Sequence, residues 1–172
     1  MLTFASRYFA LLLSSMLAAP MAWAEARIVH PPYKNPKVVF EFYLDDPAKL
    51  GSALFWVRSY MNPLTAEPYN LAPEFMDTVI VMHGTEIVAL AKHNYERYRE
   101  QVERLRYYTQ LGVRVRMCAL AAADYGYTPA DLYDFVELAP SAMTDLVYWQ
   151  QQGYGLLIPQ VLEKRFNIED IR

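Results

Sequence analysis

Cys118 is the only cysteine among 172 residues, and it closes a strand-like run, Val113-Arg114-Val115-Arg116-Met117-Cys118. A lone cysteine cannot form an intramolecular bridge, so it is a packed thiol, an intermolecular link or a reactive group. A second strand-like run, Asp77 to Met82, ends at His83-Gly84. In open parallel sheets ligands bind beyond the carboxyl ends of the strands, so His83, Gly84 and Cys118 are expected on one rim. A helix is expected to start directly after Cys118. Backbone N–H groups at a helix start favour a thiolate, and Arg116 could assist if its side chain curls towards the rim. Two bland readings stand beside this. Cysteine packs as a small hydrophobe, and a histidine before glycine is commonly a turn residue. Position alone leaves Cys118 open between a reactive and a structural thiol.

Other chemistries have less support. His30, His83 and His93 offer no pair at metal-ligand spacing, so no metal is expected. Neither a GxGxxG nor a GxxxxGK[ST] run occurs, and no serine or threonine nucleophile stands beside His83 in a recognisable motif. No cofactor is expected. A formal net charge of −3 argues against nucleic acid as a main partner, because phosphate binding needs a basic surface.

The chain opens with the pattern of an export signal: Arg7, an apolar run from Tyr8 to Ala19, Pro20, and Ala22-Trp23-Ala24 as a cleavage site. Residues 1–24 are read as a signal peptide, which places the mature protein in the periplasm or outside the cell. The run is short of the roughly 20 residues a membrane span needs, and no later segment reaches that length, so no stable span is expected after cleavage. Arg7 is the sole charged residue in that segment, so its loss makes the protein more acidic.

Residues 25–36 are a proline-rich, irregular leader. From Lys37 onward strands alternate with helices. Strands are expected over Lys37–Leu44, Asp77–Met82, Val113–Cys118, Phe135–Leu138 and Tyr154–Ile158. Asp46 reads as an N-cap with Pro47 at the first helical position, and Asn62-Pro63 as the stop of the helix that follows. Tyr95 to Leu111 carries a helical stripe of Tyr95, Tyr98, Val102 and Leu105, ending at Gly112. Shorter helices are read over Ala119–Tyr125 and from Pro140-Ser141 to Gln152. Residues 160–172 form a polar tail. The alternation predicts an α/β fold: a single-domain three-layer α/β/α sandwich with a mainly parallel five-stranded sheet.

Side chains alternate across a strand, so Glu41 shares a face with Val39 and Tyr43, and Arg114 and Arg116 share one with Cys118. A parallel sheet covered on both sides should be apolar throughout. The charges therefore predict an incompletely covered face, an edge strand, or an ion-pair cluster on the Cys118 side joining Glu41 to Arg114 or Arg116. With 14 Tyr, 8 Phe and 3 Trp, the aromatic surplus predicts a homo-oligomer interface.

In this order, strand, His83-Gly84, helix, Gly112-Val113-x-Val115-x-x-Cys118, alanine-rich helix, Pro140-Ser141 and Gln152-Gly153-Tyr154, the chain resembles the DsrE/DsrF-like sulfur-relay superfamily. The resemblance covers about Lys37 to Pro159, and its most specific part is Val115 to Ala122. It implies a compact α/β/α domain over residues 37–159 that assembles into trimers or hexamers. It also implies that Cys118 carries a persulfide, taken from a sulfur donor and passed on to a cysteine of an acceptor protein. By their places at or near the strand ends, His83, Gly84 and Arg116 are expected near the substrate. The other class of function is a non-catalytic oligomeric binding or interaction module with a structural Cys118.

Overall fold

The β-branched and aromatic run after Lys37 forms the first strand, β1 (Lys37–Phe42), two residues shorter than the sequence run suggests. β2 spans Asp77–Met82, β3 Arg114–Cys118, β4 Val136–Ala139 and β5 Gly155–Leu157. These spans come from a computed structural model that describes residues 25–172. The export signal read over residues 1–24 lies outside the described residues. Residues 25–36 contain no helix or strand.

The five strands form one sheet in the order β4-β3-β2-β1-β5, and every neighbouring pair is parallel. Helices α1 (Leu50–Thr65), α2 (Tyr95–Gln110), α3 (Ala119–Asp124) and α4 (Ala142–Gln151) fill the connections, and α5 (Ile168–Ile171) lies in the tail. This is a single-domain three-layer α/β fold. Among the described residues no helix is long and apolar enough to cross a membrane.

The ends of the elements follow local chemistry. The Asp46 carboxylate accepts the Ala48 N–H at 2.8 Å, capping a short 3₁₀ turn, Pro47–Lys49, that runs into α1. The Ser141 hydroxyl accepts the Thr144 N–H at 3.1 Å and starts α4. Gly112 (φ +89°) and Gly153 (φ +85°) leave α2 and α4 in the left-handed region, where a side chain would be strained. Pro63 does not stop α1, as its position suggests. The helix runs on to Thr65 because Leu64 is buried in the core, and its carbonyl accepts the Leu71 N–H at 2.9 Å. A 3₁₀ stretch, Thr85–Leu90, follows the His83-Gly84 turn.

The two faces of the sheet differ. Val38, Phe40 and Phe42 of β1, Ile80 and Met82 of β2, and Val115 and Met117 of β3 pack against α1 and α2 in the larger core. On the other face Val39, Val79, Val81 and Cys118 meet Ala142, Leu146 and Trp149 of α4, with Tyr154 beside them. One helix covers that face.

Candidate functional site

The α4 face is ordered in rows by the strand register. Glu41 pairs with Val81, Val81 with Arg116, and Arg116 with Glu137, so these four side chains form one row across the sheet. The next row on the same face lies at the carboxyl rim. Cys118 pairs there with Ala139. Met82 and Met117 are the last aligned pair of β2 and β3, and one residue beyond them stand His83 and Cys118. Parallel neighbours are about 4.8 Å apart, so the imidazole and the thiol occupy adjoining positions of the rim.

Cys118 is buried, with 6% of its surface exposed. Its sulfur caps α3, accepting the Ala121 N–H at 3.5 Å. Ala142 and Leu146 of α4 belong to the same apolar cluster. The thiol is thus less open than a rim position suggests.

His83 is fixed from two sides. Its Nε2 lies 3.0 Å from Glu41 Oε1, and its ring stacks on Tyr43 with centroids 4.7 Å apart and an angle of 16°. A carboxylate only accepts, so Glu41 selects the tautomer with the proton on Nε2 and leaves Nδ1 as the ring's acceptor. A cavity of about 290 Å³ opens at this point, lined by Tyr43, Leu44, Asp45, His83, Thr85 and Tyr125, with Gly84 in its wall. Cys118 is not among the lining residues.

Gly84 is required by close approach. A Cβ there would stand 2.7 Å from the Leu44 carbonyl oxygen, and closer still to the Leu44 amide nitrogen. The turn is held against the end of β1 by Glu86, which is 0% exposed. One carboxylate oxygen accepts the N–H groups of His83 at 3.0 Å and Gly84 at 2.9 Å, and the other accepts that of Leu44 at 2.9 Å. Burial pushes the Glu86 carboxyl above the ordinary carboxylate value, and the backbone donors pull against it. Its sequence context gave little warning. An acid two residues after a turn glycine reads as solvated, and only the apolar run Ile87–Leu90 behind it hints otherwise.

Arg116 lies one row behind the thiol. Its Nε and Nη2 donate to the two oxygens of Asp145 at 3.0 and 2.8 Å, and Nη1 pairs with Glu137. Asp145, a buried residue of α4, also accepts the Trp149 indole N–H at 3.2 Å. The Asp145 hydrogen bonds, and then Glu137, hold the guanidinium still more firmly protonated than usual. Arg114 stacks over Trp149 at 5.2 Å. The expected pairing of Glu41 with either arginine is therefore corrected. The residues share a face, but β2 separates β1 from β3, and Val81 stands between Glu41 and Arg116. Sequence reasoning missed Asp145 as the partner. Its place one helical turn before Trp149 was the available signal.

The structure thus brings His83, Gly84 and Cys118 to one rim and sets Arg116 beneath them in an ion-pair network. A wider groove of about 430 Å³ lies between α1 and α2, with Phe55, Arg58, Met61 and Tyr108 in its walls, but Cys118 is not among them. Among the described residues, no group of three His, Cys, Asp or Glu side chains could hold a metal ion.

Comparisons with known proteins agree with this architecture. The family model for the DsrE/DsrF-like family matches residues 37–159. A solved structure of a protein of unknown function, MTH1491 from Methanobacterium thermoautotrophicum, is similar in fold. Its TM-score is 0.57 at 22% identity, and the match covers 72% of this chain and 99% of the other. No curated protein matches the chain.

Proposed function

Because the chain belongs to the DsrE/DsrF-like family, we propose that it is an exported sulfur-handling protein, periplasmic or secreted, that carries sulfane sulfur as a persulfide on Cys118. The observation that carries this reading is the placement of the single thiol at the end of β3, one rim position from His83. The Cys118 thiolate attacks the outer sulfur of a donor persulfide. A new S–S bond forms, the donor's S–S bond breaks, and the donor leaves as a thiol after taking up a proton. Transfer to an acceptor thiol repeats the exchange, with no net oxidation or reduction. His83 and Gly84 would border the incoming group, while Arg116 would act through the ion pairs under the thiol.

The second reading is an oligomeric interaction module with a packed Cys118. The 6% exposure of the residue and its use as a helix cap favour it. Incubating the parent and Cys118→Ser with a small persulfide donor separates the two. The carrier gains the mass of one sulfur atom only in the parent. Equal uptake by both, or by neither, leaves the module.

Either reading includes a homo-oligomer, a trimer or a hexamer. Met143, Val147 and Tyr148 on the outer side of α4 are each about half exposed, an apolar stripe that a second copy would cover. Light scattering at micromolar concentration checks this, and a monomer mass counts against it.

A further inference from the structure

The groove between α1 and α2 belongs to the sheet face away from Cys118, and the sulfur chemistry makes no use of it. Two helical stripes build it. Phe55, Arg58 and Met61 recur at three-residue spacing along α1, and Arg104, Tyr107 and Tyr108 recur at helical spacing along α2. Met61 and Tyr108 are buried, whereas Phe55 and Tyr107 are each more than half exposed. The groove thus has a floor of core side chains and two aromatic sides left in solvent. Its volume of about 430 Å³ falls in the range of small-molecule sites.

Its charge is one-sided. Two guanidiniums line the groove, and none of its lining residues is acidic. The two are not equivalent. Arg104 is already engaged, with Nη2 donating to Glu100 at 2.6 Å and Nη1 to the Gly51 carbonyl at 3.2 Å. Arg58 lies over the Phe55 ring, 5.1 Å from its centroid, and among the described residues no carboxylate pairs with it. Burial raises the pKa of the Tyr108 phenol, and the charges of Arg104 and Arg58 pull it down, so both cations stand near that hydroxyl. A neighbouring hollow of about 560 Å³, bordered by the tail at Val161 and Leu162, shares Phe55, Arg58 and Arg104. It adds Lys164 and again has no acidic residue in its lining. In a chain with a formal net charge of −3, this is a local reversal of sign.

We propose that the groove binds a small organic carboxylate with an apolar body, its head on the Arg58 guanidinium and its body between Phe55 and Tyr107 over Met61. A guanidinium without an acidic partner accepts a carboxylate in a planar, two-pronged pair, and the stack on Phe55 sets the plane of that fork. One uncompensated cation in the groove calls for one negative charge, which a carboxylate supplies and a dianionic phosphate exceeds. The aromatic walls take the apolar body out of water. The site is independent of the sulfur-carrier reading, because it shares no residue with the Cys118 rim.

The test titrates naphthoate, its neutral amide naphthamide, and acetate into the full protein, with affinity read by calorimetry and location by amide NMR. Naphthoate is expected to bind once per chain and to move the signals of Phe55, Arg58 and Tyr108. Naphthamide has the same body without the charge and is expected to bind about tenfold more weakly, and acetate not measurably. Arg58→Gln, a change at an exposed position, is expected to remove that preference and to bind naphthamide as the parent does. Equal affinity of the parent for naphthoate and naphthamide overturns the proposal, and that comparison needs no variant to fold. An Arg58→Gln protein that keeps the preference overturns it, as does naphthoate that moves only signals outside the groove. Groove signals that follow protein concentration and not naphthoate assign the face to a second copy of the chain and overturn it too. Cys118→Ser is expected to bind naphthoate as the parent does, so failure of sulfur uptake and failure of this site are read separately.

Discussion

The two faces of the sheet are built from the same strands and serve different ends. On the α1 and α2 side, β1 presents Val38, Phe40 and Phe42, all buried among apolar neighbours. On the α4 side the same strand presents Val39, Glu41 and then Tyr43, which is 71% exposed. β3 repeats the contrast, with Val115 and Met117 on one side and Arg114, Arg116 and Cys118 on the other. A parallel sheet buried on both faces is normally apolar on both. Here two helices seal one face, and α4 alone covers part of the other. The charged row from Glu41 to Glu137 runs across that face, and Cys118 and Asp145 are buried there against or within α4. One face is a continuous apolar core, and the other combines a smaller apolar cluster with charged and polar side chains.

That division is open to direct attack. The largest effect is expected from Phe40→Ala, which empties a fully buried site in the larger core and should cost about 3–5 kcal/mol in denaturant melts. Tyr43→Ala, on the other face of the same strand, should stay within about 1 kcal/mol, the scale of its stack on His83. Similar losses for both would erase the distinction.

The ion pairs sharpen it. Asp145→Ala leaves Arg116 without its buried partner and should cost about 3 kcal/mol, whereas Glu137→Gln, at the half-exposed end, should cost under about 1 kcal/mol. Equal costs would mean that the row is solvated throughout, not anchored through α4.

The smallest effect concerns Glu86. Burial raises its folded-state pKa above the ordinary glutamate value of 4.5. Between those two values the folded chain holds a proton that the unfolded chain has released. Stability from this group is therefore greatest below pH 4.5 and declines as pH rises through the folded-state value. Melts of the parent and Glu86→Gln should show the parent losing ground as pH rises from 4.5 to neutrality. A constant difference would mean that the three N–H donors fully offset the cost of burial.

Much of this was legible from the residues alone, for reasons that also mark the limit. Alternation along β1 and β3 announces which side chains share a face, because the period of a strand is fixed at two. The lone thiol at a strand end and the His83-Gly84 turn could be set on one rim by the parallel topology alone. Strand order could not be read in this way. It depends on which helix passes over which face, and so the acidic partner of Arg116 was sought on β1 when it stands on β4 and α4. Pro63 misled because its local penalty ignores the burial of Leu64. Glu86 was invisible because a carboxylate becomes tolerable inside only when three amides from two separate segments converge on it. The depth of Cys118 was equally hidden, since α4 and not β3 decides it.

The position of β1 sets the order of assembly. It lies between β2 and β5, with Val38, Val39 and Phe40 aligned to Gly155, Leu156 and Leu157. One edge of the first strand therefore stays bare until Gly155–Leu157 has been made. Closing a loop of that span is entropically costly, and folds rich in such distant pairings form slowly. The nascent chain accordingly lacks a finished sheet until β5 has followed the other four strands.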